Sequence, residues 1–95
     1  MRNYELSVIV SPEVEEEALE ATMDQIKQFI TTGGGQVTKV DVWGRRRLAY
    51  PIRKHLEGYY AVFQAQMPQE ALPELERSLK LSEDVIRYLL VRLDV

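Results

Sequence analysis

Tyr4, Leu6, Val8 and Val10 alternate with Asn3, Glu5 and Ser7, the two-residue period of a strand that buries one face. Ile9 interrupts the polar side and leaves the cover of that side open. Ser11 and Pro12 read as a helix start, because a hydroxyl can cap free amides and proline suits the first helical position. Glu13, Glu15, Glu16 and Glu17 favour the positive end of its dipole. This helix is expected to run to about Thr32, with Leu19, Met23, Ile26 and Ile30 at four- and three-residue steps forming one apolar stripe beside Val14, Thr22 and Phe29.

Gly33, Gly34 and Gly35 end the helix, since glycine takes the left-handed conformation at a C-terminus without a side-chain clash. A phosphate-cradling loop would lead into a helix and use its first amides, whereas this one leaves a helix for a strand, so it reads as a turn. Val37, Val40 and Val42 begin a β-branched strand predicted to continue past Gly44 toward Ile52, with a kink or bulge at the glycine. Lys54 to Gly58 reads as the connection and Tyr59 to Met67 as the returning strand, together a long hairpin. Pro68 stops that strand. Glu70, Ala71, Leu72, Leu75 and Leu79 then mark a shorter amphipathic helix ending near Lys80, with Pro73 tolerated in its first turns. Ser82 and Asp84 lead to a last strand, Val85 to Leu93, where Ile86, Leu89, Leu90 and Val91 occupy both faces and predict cover on both sides.

The order β, α, β, β, α, β predicts the α+β, ferredoxin-like βαββαβ sandwich: a four-stranded antiparallel sheet with two helices on one face. Right-handed crossovers put the first and third strands at its centre. The opposite face is left open, and sheets of this kind often bind RNA there through aromatics on the central strands. Tyr4 lies on the first strand, and Tyr59 and Tyr60 on the third. Each also has a reading as core. Alternation keeps Tyr59 and Tyr60 from both facing inward unless a bulge separates them.

Length and composition narrow the class. The 95 residues are expected to form one domain spanning 1–95, and 45% hydrophobic with 28% charged content fits a soluble globular chain. No apolar run reaches the roughly 18 residues that a membrane span needs, no signal-peptide pattern opens the sequence, and there is no cysteine. The cytoplasm is the expected compartment.

Charge changes the picture more. The formal net charge is -3, yet no acid stands between Asp41 and Glu57, where Arg45, Arg46, Arg47, Arg53 and Lys54 fall; without those five cations the remainder stands at -8. Trp43, Tyr50, Tyr59 and Tyr60 are interleaved with them, and Gly44 and Pro51 bend or interrupt the strand. An acidic total cannot describe a chain whose cations sit together. A charged edge that blocks strand-to-strand pairing is the plain explanation. Three adjacent arginines exceed that need, because the planar guanidinium binds phosphates bidentately and stacks on bases. The stretch therefore reads as a ribbon facing nucleic acid. Alternation places Arg45 and Arg47 on one face and Arg46 on the other.

Little recommends catalysis. His55 is the sole histidine and lacks metal-ligand company, so it reads as a solvated loop residue. The acids from Glu13 to Glu20 fall on an exposed helix face, and Ser7, Ser11, Ser78 and Ser82 carry no nucleophile-elbow context. No enzyme, metal, cofactor or small-molecule substrate is expected. Two rivals use the same fold. One is a small-molecule-binding regulatory module with Gly33 to Gly35 as a lid. The other is an acylphosphatase-like enzyme, which needs a phosphate loop after the first strand and a catalytic asparagine, where this chain has only Ser11, Pro12 and the single asparagine Asn3.

The motif WGRRRLAYPI at Trp43 to Ile52, followed by Arg53, Lys54, Gly58 and Tyr59, resembles the bacterial small-ribosomal-subunit protein six family. RNYEL at Arg2 to Leu6, Met67 with Pro68, and VIRYLLV at Val85 to Val91 are similar to it in the same order, so the resemblance spans the chain. The strand and helix pattern alone would fit many ferredoxin-like domains. The resemblance implies a structural protein of the small-subunit platform that binds the central domain of 16S rRNA together with small-subunit protein eighteen. Carried over by position, it makes Arg2, Arg46, Arg47, Tyr50, Arg87 and Arg92 candidates for RNA or partner contact, to which the residue reading adds Tyr4, Arg45, Arg53, Lys54 and Tyr59. Many relatives continue into an acidic tail, whereas this sequence stops at Asp94 and Val95. The third arginine of the run stands where relatives vary.

Overall fold

The computed structural model describes residues 1–93. Strand β1 (Arg2–Val10) buries Tyr4, Leu6, Val8 and Val10, each at most 3% exposed, while Glu5, Ser7 and Ile9 are half-buried on its other side. Ser11 does not cap a helix at once. Its N–H donates to the Asp84 carbonyl at 2.7 Å, its hydroxyl accepts from the Glu13 amide at 3.1 Å, and its carbonyl accepts from the Val14 amide at 3.1 Å. With those groups committed to a turn that also ties the chain to the entrance of the last strand, helix α1 (Glu16–Thr32) begins later than the sequence predicts. It buries Thr22, Met23, Ile26 and Ile30 and keeps Glu16 and Glu17 in its first turn. Its end follows the expected glycine turn: the Gly34 amide donates to Thr31 and the Gly35 amide to Ile30, each at 3.0 Å, with Gly34 at φ 89. Those bonds make Gly33 to Gly35 a helix stop rather than a lid.

Strand β2 (Gln36–Ile52) runs through the bulge at Gly44 and pairs antiparallel with β3 (His55–Met67). The hairpin connection is shorter than the expected Lys54 to Gly58. Ile52 pairs directly with His55, leaving only Arg53 and Lys54 in the turn, at φ 49 and 69. Positive φ at both central residues is what a two-residue hairpin needs to match strand twist. His55 therefore opens a strand instead of sitting in a loop, and Gly58 lies within β3. There a Cβ would stand 2.5 Å from Ile9 Cγ2 and 3.1 Å from the Val10 carbonyl, so only glycine lets the two central strands carry Ile9 across this point. Ile9, the residue that broke the polar alternation, fills that space.

After a short 3-10 turn at Gln69–Ala71, helix α2 (Leu72–Leu81) buries Leu75 and Leu79, and β4 (Val85–Arg92) closes the sheet. The strand order is β2-β3-β1-β4, with the first and third strands central as predicted. Alternating positions of β1 and β3 meet Met23, Ile26 and Ile30 of α1 and Leu75 and Leu79 of α2 in one core around Phe63, which is fully buried. Each such side chain contributes about 1.5–3 kcal/mol relative to exposure. β4 departs from expectation. It is an edge strand covered on one side only, with Leu89 at 59% and Val91 at 41% exposure on the face away from the helices. The shift between Ile9 and Val10 buries Ile86 as well as Val85, and that is where the doubly covered pattern ends. No described helix is long and apolar enough to cross a membrane. Asp94 and Val95, where the sequence reading notes the lack of an acidic tail, lie outside the described residues.

Candidate nucleic-acid interface

The site begins with the bulge. Val42 pairs with Ala61 and Gly44 with Tyr60, so Trp43 is the extra residue and the inward-outward count of β2 reverses there. Gly44 makes this possible at φ 83, a conformation that a side chain disfavours. Trp43, 55% exposed, stacks on Tyr60 with ring centroids 6.4 Å apart and planes 8° from parallel. After the reversal Arg45 stands opposite Tyr59 on the helix side, Arg46 opposite Gly58 on the open side, and Arg47 opposite Glu57. Arg45 and Arg47 thus share a face, as alternation requires, and Arg46 takes the other.

Arg45 is held by its own molecule. Its Nε and Nη2 donate to Glu57 Oε2 at 3.3 and 3.2 Å, its Nη1 donates to the Tyr59 hydroxyl at 3.4 Å, and its guanidinium carbon lies 5.6 Å from the Tyr59 ring centroid. The bond to Tyr59, then that to Glu57, raises its pKa above the ordinary arginine value. Arg46, Arg47, Arg53, Lys54 and Arg87 make no ion pair among the described residues and are exposed. Positive charge is therefore kept along the outer hairpin.

Across the sheet, Arg87 on β4 donates to the Tyr50 hydroxyl and lies 5.7 Å from the centre of its ring. Arg53 from the hairpin tip, Arg87 and Lys80 line one shallow depression floored by Leu79 and Ile86. The fold thus brings Tyr50, Arg53 and Arg87 to one end of the molecule. Lys80 was not among the sequence candidates; its signal is an exposed cation in the last turn of α2. Arg2 and Arg92 are not part of this group. Arg92 pairs with Tyr4 and Arg87 with Ile9, a separation of about 17 Å along the strand at roughly 3.3 Å per residue.

Tyr4 and Tyr59 do not offer faces to a partner. They are 3% and 6% exposed on the helix side, because they share strand parity with Leu6 and Phe63. Their core reading is the one the fold adopts, and Tyr59 reaches the surface only through its hydroxyl on Arg45. The open-face aromatic pair is instead Trp43 and Tyr60: the sequence places Tyr60 among the central-strand aromatics that could face outward, and Trp43 only within the basic stretch. Their stacking depends on the bulge, and the even-odd pattern gives no sign of its register. Among the described residues no group of His, Asp and Glu could hold a metal.

The family model described as "Ribosomal protein S6" matches residues 3–92. The chain is similar to the small ribosomal subunit protein bS6 of Moorella thermoacetica, 49% identical over 94 residues that cover 99% of this chain and 96% of the relative. It is also similar to that of Acidothermus cellulolyticus, 50% identical over 94 residues covering 99% and 98%. The crystal structure of 30S ribosomal protein S6 from Thermotoga maritima superimposes with a TM-score of 0.91 at 34% identity, over 96% of this chain and 86% of that one. The relatives bear the name of a ribosomal protein and not of an enzyme.

Proposed function

The chain belongs to the ribosomal protein S6 family, and from that premise we propose that it is a structural protein of the small subunit that binds the central domain of 16S rRNA together with small-subunit protein eighteen. The observation that carries the RNA half is the state of the hairpin cations: of Arg45, Arg46, Arg47, Arg53 and Lys54, Arg45 alone forms an ion pair among the described residues. Guanidinium and ammonium groups left exposed on a bent ribbon are suited to phosphate oxygens. Tyr50 and Arg87 extend the ribbon toward β4, and Arg2 and Arg92 offer a second, separate contact. The acidic remainder of the chain suits a basic protein neighbour. The compartment is that of the working ribosome, the cytoplasm.

Footprinting of central-domain RNA with this protein alone, with protein eighteen alone, and with both tests the reading. Protection that needs both proteins is the expected result. Unchanged RNA cleavage in the joint sample would remove the rRNA assignment.

A further inference from the structure

The hairpin tip and the groove between α1 and β2 carry opposite charge at opposite edges of the sheet. At the tip, Arg53 and Lys54 are exposed and make no ion pair among the described residues, and Leu56 beside them is 58% exposed. The groove has room for about 320 Å³. Its floor is apolar: Met23 is buried, Leu19 and Val40 are half-buried, and Val42 is 51% exposed although it shares the helix-facing parity of β2. Glu16, Glu20 and Asp24 line its rim at every fourth residue of α1, which sets successive carboxylates about 6 Å apart. Lys27 at the same rim is engaged by Asp24 at 3.6 Å, while Glu16 and Glu20 make no ion pair among the described residues.

We propose that this groove receives the hairpin tip of a second copy of the chain. Charge selects that occupant. With five cations on the hairpin and -8 on the remainder, every copy carries both halves of a complementary pair. A polyanion is repelled by the rim. The molecule's own tip is held elsewhere, because Tyr50 accepts from Arg87 on β4, the opposite edge strand, and Arg53 lines a depression there with Lys80 and Arg87. A second copy brings Arg53 and Lys54 to the Glu16 and Glu20 carboxylates and Leu56 to the floor of Leu19, Val40 and Val42, removing from water apolar surface that each copy alone leaves exposed. The contact joins two different surfaces, so a docked pair keeps one tip and one groove free and association extends head to tail. A docked tip cannot offer its cations to RNA. That consequence rests on the RNA reading above, whereas the docking itself does not.

The test is sedimentation of the full chain without RNA, at protein concentrations from about 10 μM to about 1 mM and at salt of about 0.01 M and about 0.5 M. The average mass of the parent is expected to rise with concentration at low salt and to stay that of one chain at high salt. Glu16→Gln with Glu20→Gln neutralises the rim at exposed helix positions, and Arg53→Asn with Lys54→Gly neutralises the tip with residues that its turn favours; circular dichroism checks that both fold. Each pair of changes is expected to weaken self-association by about tenfold or more. An equal mixture of the two variants retains one intact tip and one intact groove, so it is expected to regain the parent affinity and to stop at the mass of a dimer. A parent that stays a single chain at about 1 mM in low salt overturns the docking, as does association that survives in both variants within about twofold of the parent, or a mixture no heavier than its components. A failed RNA footprint leaves these results untouched and removes only the competition for the tip.

Discussion

The guanidinium of Arg87 lies 5.7 Å from the centre of the Tyr50 ring and donates to its hydroxyl, although the two residues are 37 positions apart and belong to opposite edge strands. This contact ties the far part of the β2–β3 hairpin to β4. Tyr50→Phe removes the acceptor and keeps the ring, and is expected to cost under about 1 kcal/mol. Arg87→Ala removes both contacts. A double-mutant cycle by urea denaturation should return a coupling of about 0.5–1 kcal/mol, the range of an exposed cation–π pair; a coupling of zero would mean the hairpin end is anchored elsewhere.

Arg45 and Arg46 are neighbours, yet only Arg46 is expected to contribute to RNA binding. If about four cations neutralise phosphates, log affinity should fall with log salt at a slope of about -3, near 0.7 per contact. Arg46→Ala is expected to reduce the slope by about 0.7. Arg45→Ala should leave it unchanged, since Glu57 and Tyr59 already occupy that guanidinium. Filter binding across a sodium chloride series distinguishes the two.

The turn at Arg53 and Lys54 sets stability against charge. Left-handed backbone at two side-chain-bearing residues is disfavoured by about 1 kcal/mol or more each. Replacing the pair by Asn and Gly, the residues such turns prefer, should stabilise the chain by about 1–2 kcal/mol. That is a melting-temperature rise of roughly 4–8 °C per kcal/mol. The same change should flatten the RNA salt slope by about 1.4, because two cations leave the tip.

Tyr88 supplies an alkaline signature. Burial, then the nearby Glu76 carboxylate to which its hydroxyl donates at 3.2 Å, raises its pKa above the ordinary tyrosine value. A raised folded pKa means the neutral form is favoured by folding. Its contribution is complete below the unfolded value near 10 and is lost as pH climbs through the folded one. Melting temperatures of the parent and Tyr88→Phe from pH 8 upward should therefore converge in strongly alkaline buffer, with the parent ahead at neutral pH. A difference that stays constant with pH would contradict this.

The helices, the strand order and the basic stretch were legible because each rests on a local signal: Met23, Ile26 and Ile30 at helical spacing, valines in the hairpin, five cations without an acid. The start of α1 was not, because the commitment of the Ser11 amide to Asp84 is a contact across 73 positions that no window of sequence contains. The hairpin turn was misplaced for a different reason. Gly58 resembles a turn glycine, but it answers to the close approach of Ile9, while two long cations adopt the backbone that glycine usually supplies. Exposure of Leu89 and Val91 follows from the sheet face away from the helices lying open, whereas apolar residues on both sides of the strand read as double cover. For the candidate site, charge was readable and orientation was not: Tyr4 and Tyr59 went to the core, and Trp43 came to the surface on the strength of one inserted residue.

That insertion, coming after an earlier register shift between Val37 and Lys39, gives β2 a new phase from Gly44 onward. Upstream of Trp43 its side chains serve the layer beneath α1, and downstream the parity restarts, so either half can change composition without forcing the other to change sides. Removing a single residue at the junction would instead exchange the directions of all three arginines at once, turning Arg46 toward the helices and Arg45 outward, with no other atom of the sequence altered.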